Sequence, residues 1–149
     1  MRNKSWALPV LVVALVATAG TALLPAKAKV KVDMEGTWKV HVTPDAGAAA
    51  KGEKEFDDTL LLQKGKFHST ACEPYGFGQA AYRVEENHWM SDGVSTKEGK
   101  NHWHGEVTGD SVSGQMTWTK ADGSVLNYTF TGTRAPAESQ TKGSKKPGN

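Results

Sequence analysis

The sequence predicts an all-β protein: an eight-stranded antiparallel up-and-down barrel in residues 29–134, preceded by a signal peptide. One observation behind this prediction is a series of short runs in which apolar and polar side chains alternate. Another is that most connections between these runs are short, which is typical of antiparallel neighbours. A third is that large aromatic side chains share a strand face with glycines in the later runs. A meander of this length closes by pairing its last strand with its first, which removes both exposed edges.

The first 28 residues are predicted to be a secretory signal peptide. Arg2 and Lys4 precede an apolar run from Ala7 to Leu24, and the Ala-Lys-Ala sequence that ends at Ala28 is an Ala-x-Ala cleavage site. An uncleaved membrane anchor is the alternative, because the apolar run is close to the shortest length that spans a bilayer. Cleavage predicts an exported protein, periplasmic or extracellular, without membrane contact after processing.

The charge of the chain argues against nucleic acid as a partner. Without residues 1–28 the chain has 15 basic and 16 acidic side chains, and several of the lysines lie in residues 135–149, which are predicted to be a disordered basic tail. The body between these two segments is therefore net acidic. Because nucleic-acid binding needs a basic stripe on the folded body, no such partner is expected.

The first half of the barrel is predicted to contain four strands. They span residues 36–43, 57–63, 66–72 and 80–85. In the first of them Trp38 and Val40 lie on the apolar face, and Pro44 ends the run. The second and third strands are joined by Lys64-Gly65, which is typical of a tight hairpin turn.

Two connections differ from the others in length or composition. Residues 44–56 are rich in Ala, Gly, Lys and Glu and allow a single helical turn after Asp45. Long loops are often functional, although a solvated loop without a role is an equal alternative. Residues 73–78 contain Tyr75 and Phe77, which is unusual for an exposed connection. We expect this second loop to fold over one end of the barrel, near an entrance.

The second half is predicted to contain four more strands, again joined by short turns. They span residues 88–96, 101–108, 111–120 and 124–133. In these strands each large aromatic residue has a glycine of the same face close to it in sequence. The pairs are Trp89 with Gly93, Trp103 with Gly105, Trp118 with Gly114, and Phe130 with Gly132.

The side chains predicted to point into the barrel are mostly large and apolar. They are Trp38, Val40, Leu60, Leu62, Phe67, Tyr82, Val84, Trp89, Trp103, Val107, Met116, Trp118, Leu126, Tyr128 and Phe130. The interior of an eight-stranded barrel is either filled by its own side chains or holds one small ligand, and both alternatives stay open here. The inward glycines agree with both, because a glycine can bend a strand or leave volume beside an indole ring.

The start of the first strand, Gly36-Thr37-Trp38, resembles the Gly-x-Trp motif of the calycin superfamily, the small barrels that include lipocalins, fatty-acid-binding proteins and avidins. In lipocalins an arginine near the end of the barrel covers this tryptophan, so the resemblance implies structural roles for Trp38 and Arg134. Trp103-His104-Gly105, with Trp118 on the next strand, is similar to the Trp-x-Gly hairpin of avidins. The Thr-Asp-Tyr turn and C-terminal helix of lipocalins have no counterpart, and neither do the biotin-holding residues of avidins. The resemblance therefore implies a fold without naming a ligand.

No set of residues in the sequence specifies a reaction, and no catalytic residue, metal ligand or cofactor is predicted. His102, His104 and Glu106 share one strand face, as metal ligands on a strand can. Because Trp103 and its inward neighbours take the inner face, the trio is expected outside in water, where a metal is not expected. The acidic residues Glu53, Glu55, Asp57 and Asp58 alternate with lysines and are interpreted as a solvated loop without a calcium site.

Cys72 is the only cysteine of the chain, so an internal disulfide is excluded. We expect its thiol to be buried, and the alternatives are an intermolecular disulfide or a reactive thiol. His68 shares the strand parity of Cys72 but is four residues away, about 13 Å along an extended strand, so the two cannot form a catalytic pair.

These observations predict an exported protein that binds a small apolar or aromatic molecule inside its barrel. The predicted lining is Tyr82, Trp89, Trp103, Trp118, Tyr128 and Phe130, with Tyr75 and Phe77 at the entrance. One alternative is a barrel with a filled interior that acts through its loops as an extracytoplasmic interaction or inhibitor module. A third hypothesis is a thiol or metal enzyme that uses Cys72 or the His102 face.

Overall fold

The computed structural model describes residues 32–136, which form a closed barrel of eight antiparallel strands in up-and-down order. The strands are β1 (Gly36–Pro44), β2 (Phe56–Gln63), β3 (Lys66–Ser69), β4 (Ala80–Glu85), β5 (His88–Ser95), β6 (Gly99–Thr108), β7 (Ser111–Thr119) and β8 (Val125–Arg134). A short helix, α1 (Ala46–Ala50), follows β1, and a single 3₁₀ turn (Glu73–Tyr75) follows β3. The predicted fold class is confirmed.

Two predicted segments fall outside this range. The signal peptide predicted for residues 1–28 and all but the first two residues of the tail predicted for 135–149 lie outside the described residues. Within the described range no helix has the length and hydrophobicity needed to cross a bilayer.

The barrel closes through pairing of its first and last strands, β1 and β8. Their register runs from Trp38 opposite Arg134 to Pro44 opposite Tyr128, so both strands are paired along most of their length. The narrowest seam lies between β3 and β4, where only two residue pairs face each other. Closure satisfies the backbone groups that an open sheet would expose at its edges.

The two ends of the barrel differ in their connections. The closed end, as we call it, carries three two-residue turns, at residues 64–65, 86–87 and 109–110, together with the start of β1 and the end of β8. The opposite end, which we call the mouth end, carries the two long connections 45–55 and 70–79 and the shorter turns 96–98 and 120–124.

The helix in the first long connection agrees with the helical turn predicted after Asp45. The Asp45 carboxylate accepts a hydrogen bond from the Ala48 N–H at 2.7 Å, which caps the first turn of α1. Ala48 is buried against the barrel, so this connection is packed onto the mouth end.

Most side chains predicted to point inward are buried, among them Trp38, Trp89 and Trp103, which have no exposed surface. Val84 is the exception: half of its surface is exposed, so its predicted place in the interior is wrong. The reason is that β3 pairs with β4 only at Ala80 and Ala81. The rest of β4 extends beyond Lys66, the first residue of β3, so β3 does not cover Val84.

Two of the inward glycines, Gly105 and Gly114, accommodate aromatic rings from neighbouring strands. Trp89 lies directly opposite Gly105, and Phe130 lies opposite Gly114. A Cβ atom at Gly105 would stand 2.6 Å from the Trp89 indole, closer than real carbon contacts allow. The volume beside these two glycines is therefore occupied by rings of the protein itself.

The third strand is shorter than predicted, because the chain turns at Ser69 and does not continue extended to Cys72. The cause is the carboxylate of Asp58, which accepts hydrogen bonds from the Ser69 hydroxyl at 2.5 Å, the Thr70 hydroxyl at 3.0 Å and the Ala71 N–H at 2.8 Å. Asp58 is only 5% exposed, so its interpretation as part of a solvated acidic loop is also wrong. Together with the Thr59 N–H at 2.6 Å, these donors satisfy the buried carboxylate, and the three from residues 69–71 bend the chain into the second long connection.

Candidate functional site

The closed end of the barrel is sealed by Trp38 and Arg134. The Trp38 indole N–H donates to the Met34 carbonyl at 3.2 Å, and the Arg134 guanidinium lies over the Trp38 ring with its central carbon 4.3 Å from the ring centre. Arg134 Nη2 also donates to the Asp33 carbonyl at 2.7 Å, and Nη1 donates to the Glu35 carbonyl. This end is therefore covered by cation–π packing and by an N-terminal segment that is hydrogen-bonded to Arg134.

The middle of the barrel is filled by aromatic side chains. Phe67 packs against Trp89 and Trp103 with ring centres 4.9 and 5.3 Å apart, and Phe130 packs against Trp103 at 5.4 Å. Trp89 and Trp103 thus each pack against both Phe67 and Phe130, so three of the predicted lining residues belong to one packed aromatic cluster. Tyr82 is half-buried beside the closed end, where it borders a surface groove.

A cavity of about 340 Å³ opens at the mouth end, and we call it the mouth cavity. It lies between the two long connections and the ends of β7 and β8. Its apolar lining is Phe56, Ala71, Cys72, Tyr75, Phe77, Met116, Trp118 and Tyr128, and its charged lining is Glu53, Lys54, Glu55 and Asp57. Several wider depressions of the described chain lie on the outside of the sheet or at the closed end, and they are more open to solvent.

Trp118 is the centre of the aromatic wall of this cavity. Tyr75 and Phe77 meet its ring at steep angles, with ring centres 5.2 and 5.9 Å away. Its indole N–H donates to the Glu98 carbonyl at 2.8 Å, so the ring is fixed in place and its polar atom is satisfied. Of the predicted site residues, Trp118, Tyr128, Tyr75 and Phe77 are brought together here.

The charged side of the cavity is organised by Tyr128 and Glu53. The Tyr128 hydroxyl donates to Glu53 Oε2 at 2.9 Å, and the Lys120 ammonium lies 3.8 Å from Glu53 Oε1. Burial, together with the Glu53 carboxylate, raises the pKa of the Tyr128 hydroxyl, which stays protonated as a donor. The same Lys120 ammonium lies 5.2 Å from the centre of the Trp118 ring.

The loop that carries Tyr75 and Phe77 is held against the barrel. The Ser95 hydroxyl donates to the Tyr75 carbonyl at 2.8 Å, and Gly76 turns the chain with a φ of 81°, a conformation that favours glycine. Phe77 is 4% exposed and inserts beside Trp118. The loop thus covers part of the mouth end, as the sequence predicted, and leaves the side that Tyr75 borders open.

Cys72 lines the mouth cavity as a neutral thiol. It is 8% exposed, which agrees with the prediction that its thiol is buried. Burial raises its pKa to about 11, so very little thiolate exists near neutral pH. This environment suits a packing side chain and opposes a nucleophile.

The outer face of β6 carries His102, His104 and Glu106, all exposed. His102 Nδ1 lies 2.7 Å from an Asp92 carboxylate oxygen, and the His104 ring stacks on His88 with ring centres 5.5 Å apart. In the part of the chain that the structure describes, no three His, Cys, Asp or Glu side chains are grouped so that they could hold a metal ion.

Comparison with protein-family models, with curated proteins and with solved structures finds no match to this chain. The number, order and closure of the strands are compatible with a calycin-like fold.

Eight of the twelve residues that line this cavity were absent from the predicted lining and entrance, among them Phe56, Met116 and Glu53. Phe56 is the first residue of β2, although it was predicted to end the first long connection. Met116 belongs to the predicted inward set two residues before Trp118, and Glu53 comes from the acidic stretch interpreted as solvated. The sequence signal for Phe56 was its place as the only aromatic residue of that connection. No sequence pattern pointed to Glu53, because its partner Tyr128 lies on the last strand.

Proposed function

We propose that this protein is an exported small-ligand-binding barrel that holds an apolar or aromatic molecule in the mouth cavity. The observation that carries the proposal is a cavity of about 340 Å³ whose wall is largely aromatic and whose polar groups lie on one side. Ligand sites generally have volumes of about 300 to 1,000 Å³, apolar walls and a few polar groups that fix orientation.

The chemistry of such a site is desolvation and ring packing. The polar atoms of Trp118 and Tyr128 already have partners within the protein, so their rings present mainly apolar surface to a guest. Edge-on contacts between aromatic rings add about 0.5 to 1.5 kcal/mol each beyond the area they bury. Tyr75, which is 48% exposed, can gain burial when a ligand enters.

We also infer that the barrel belongs to the calycin superfamily and that residues 1–28 direct its export. Support for the first point comes from Gly36-Thr37-Trp38 at the start of β1 and from the Arg134 guanidinium over the Trp38 ring. Support for the second is the charged, apolar and small-residue pattern of the N-terminal sequence. Detection of the mature N-terminus at Lys29 by mass spectrometry of protein from its own host tests the export proposal.

The ligand proposal is tested by titrating the purified protein with N-phenyl-1-naphthylamine, a neutral probe that becomes fluorescent in apolar sites. We expect saturable binding, weakened about tenfold in Trp118→Leu because one aromatic wall is lost. Val84→Ala, which removes an exposed apolar side chain at the other end of the barrel, serves as the matched control and should bind like the unchanged protein. Absence of saturable binding, or equal affinity in Trp118→Leu, would overturn the proposal.

A second candidate function is an extracytoplasmic interaction or inhibitor module that acts through the mouth-end loops. The packed middle of the barrel, where Phe67 contacts both Trp89 and Trp103, favours this alternative. Native mass spectrometry of protein from its own host separates the two functions. A retained small-molecule mass supports the carrier, and a retained protein partner without a small molecule supports the module.

A further inference from the structure

Carboxylates outnumber ammonium groups in the lining of the mouth cavity, which includes Glu53, Glu55 and Asp57 but only Lys54. Glu55 and Asp57 are largely exposed, with 69% and 90% of their side chains accessible, and both lie against the His41 imidazole, at 3.4 and 2.8 Å. Solvent and His41 therefore weaken the effect of these two carboxylates on a guest. Glu53 is only 29% exposed and lies against the aromatic wall, so its charge acts most strongly on a guest.

The protein already places an ammonium group of its own between Glu53 and the aromatic wall. The Lys120 ammonium lies 3.8 Å from Glu53 Oε1 and 5.2 Å from the centre of the Trp118 ring. A carboxylate on one side and an indole on the other are the two partners that stabilise an organic cation. Lys120 extends from the turn after β7, and its side chain is 36% exposed, so it can leave this position for solvent.

Aromatic rings complete the surroundings of that position. Tyr75 and Phe77 border the Trp118 ring, and Tyr128 holds the Glu53 carboxylate through its hydroxyl. Clusters of aromatic rings beside a carboxylate recognise quaternary ammonium groups, because the negative ring faces attract a weakly hydrated cation. A neutral guest would gain only the apolar contacts, and an anion would be repelled by Glu53.

We propose that the mouth cavity selects an organic ammonium ion with an apolar or aromatic body, whose cationic group displaces Lys120 from between Glu53 and Trp118. The proposal rests on the ligand-binding function above and names the chemical class of its ligand. The apolar body lies in the cavity beside Phe56 and Met116, and the cation lies at the rim beside the carboxylates.

A pair of isosteric competitors tests this selection. Benzyltrimethylammonium and neopentylbenzene have the same shape and differ in charge, and each is used to displace N-phenyl-1-naphthylamine from the purified protein. We expect the cation to displace the probe at concentrations at least about tenfold lower than the neutral isostere. Equal displacement would overturn the selection of cations and leave the ligand-binding function standing.

If the neutral probe does not bind, direct calorimetric titration with benzyltrimethylammonium decides the matter. Saturable heat would support the cation site although the neutral-ligand function had failed. Absence of heat up to millimolar cation would overturn both.

Two variants locate the cation. Glu53→Gln should weaken benzyltrimethylammonium about tenfold and the neutral probe much less, because only a charged guest uses the carboxylate. Glu85→Gln, an exposed glutamate at the closed end, is the matched control and should change neither. An equal loss for cation and probe in Glu53→Gln would count against the proposal.

Lys120→Met removes the internal competitor, so benzyltrimethylammonium should bind several-fold more tightly. A partly unfolded protein cannot produce this gain, which separates the effect from damage to the fold. Lys66→Met, an exposed lysine on β3, is the control and should leave the affinity unchanged. Unchanged or weaker cation binding in Lys120→Met would contradict the placement of the cation beside Trp118.

Discussion

The two ends of this barrel are built on the same eight strands and yet have opposite properties. At the closed end, two-residue turns keep the strands close, and Arg134 joins the last strand to the segment before the first by donating to the carbonyls of Asp33 and Glu35. At the mouth end the connections are longer, and polar groups such as Glu53 and Lys120 remain beside an apolar cavity. Connection length and the partners of a few charged groups, not strand number, decide which end is accessible.

The largest expected effect is a loss of stability when the packing of the closed end is disrupted. Trp38→Ala removes an indole with no exposed surface and should lower the free energy of unfolding by about 3–5 kcal/mol. Trp118→Ala at the mouth end should cost less, about 1–3 kcal/mol, because that ring is only partly buried. Urea unfolding followed by far-ultraviolet circular dichroism measures both. An equal or larger loss for Trp118→Ala would contradict the contrast between the ends.

The second prediction concerns the turn that leads into the mouth-end loop. Asp58→Ala leaves the Ser69 hydroxyl and the Ala71 N–H without their acceptor and should cost about 2–3 kcal/mol in the free energy of unfolding. The neighbouring Asp57→Ala is the matched control, since its side chain is 90% exposed and its pair with His41 lies in solvent, and it should lower the free energy of unfolding much less. Similar losses in both variants would show that burial of Asp58 does not organise the turn.

The third prediction tests whether the middle of the barrel is filled, in contrast to the open mouth end. Gly105→Ala places a methyl group where it would stand 2.6 Å from the Trp89 indole, so it should cost about 1–3 kcal/mol in stability. Gly78→Ala, where no atom lies within 4 Å of the added carbon, is the control and should be nearly neutral. If both variants unfold at the same urea concentration, space does exist beside Gly105.

The smallest effect is on the chemistry of Cys72. Its pKa of about 11, against an ordinary value of 9.0, leaves about a hundredfold less thiolate at pH 8, so iodoacetamide should modify the native protein far more slowly than the urea-unfolded chain. The raised pKa stabilises the fold fully below about pH 9, and this contribution is lost as the pH rises toward 11. Mass spectrometry of the alkylated protein over pH 8 to 11 follows both states. Rapid native modification at pH 8 would show an accessible, reactive thiol.

The sequence was sufficient to predict the eight strands and their order, because alternation of side chains along a strand follows directly from backbone geometry. It was not sufficient to predict which residues of neighbouring strands face each other. Gly105 was paired with Trp103 of its own strand, whereas the ring that covers it is that of Trp89 on the neighbouring strand. Which residues face each other depends on the register of the strands, and a single sequence does not contain that register.

Charged residues were the other source of error. Asp58 has the inward parity of Leu60 and Leu62, and that placement was the available sign that it is buried. The nearby acidic residues and lysines suggested a solvated loop, and this composition was given more weight than the inward parity of Asp58. The mouth cavity could not be predicted from the sequence, because Glu53 and Tyr128 meet only in the closed barrel.

Closure of β1 on β8 also brings the two limits of the barrel together. The Ala135 N–H donates to the Thr37 carbonyl at 2.7 Å, so a short linker could join the segments that flank these residues. The chain could then be reopened at the exposed turn of residues 121–123 to give a circular permutant with the same barrel. In that permutant the β1–β8 pairing would become a local hairpin and the β7–β8 pairing would become the long-range closure, so the contact order would stay similar. The barrel is in this respect a ring of hairpins, and the position of its chain break can be chosen by an engineer.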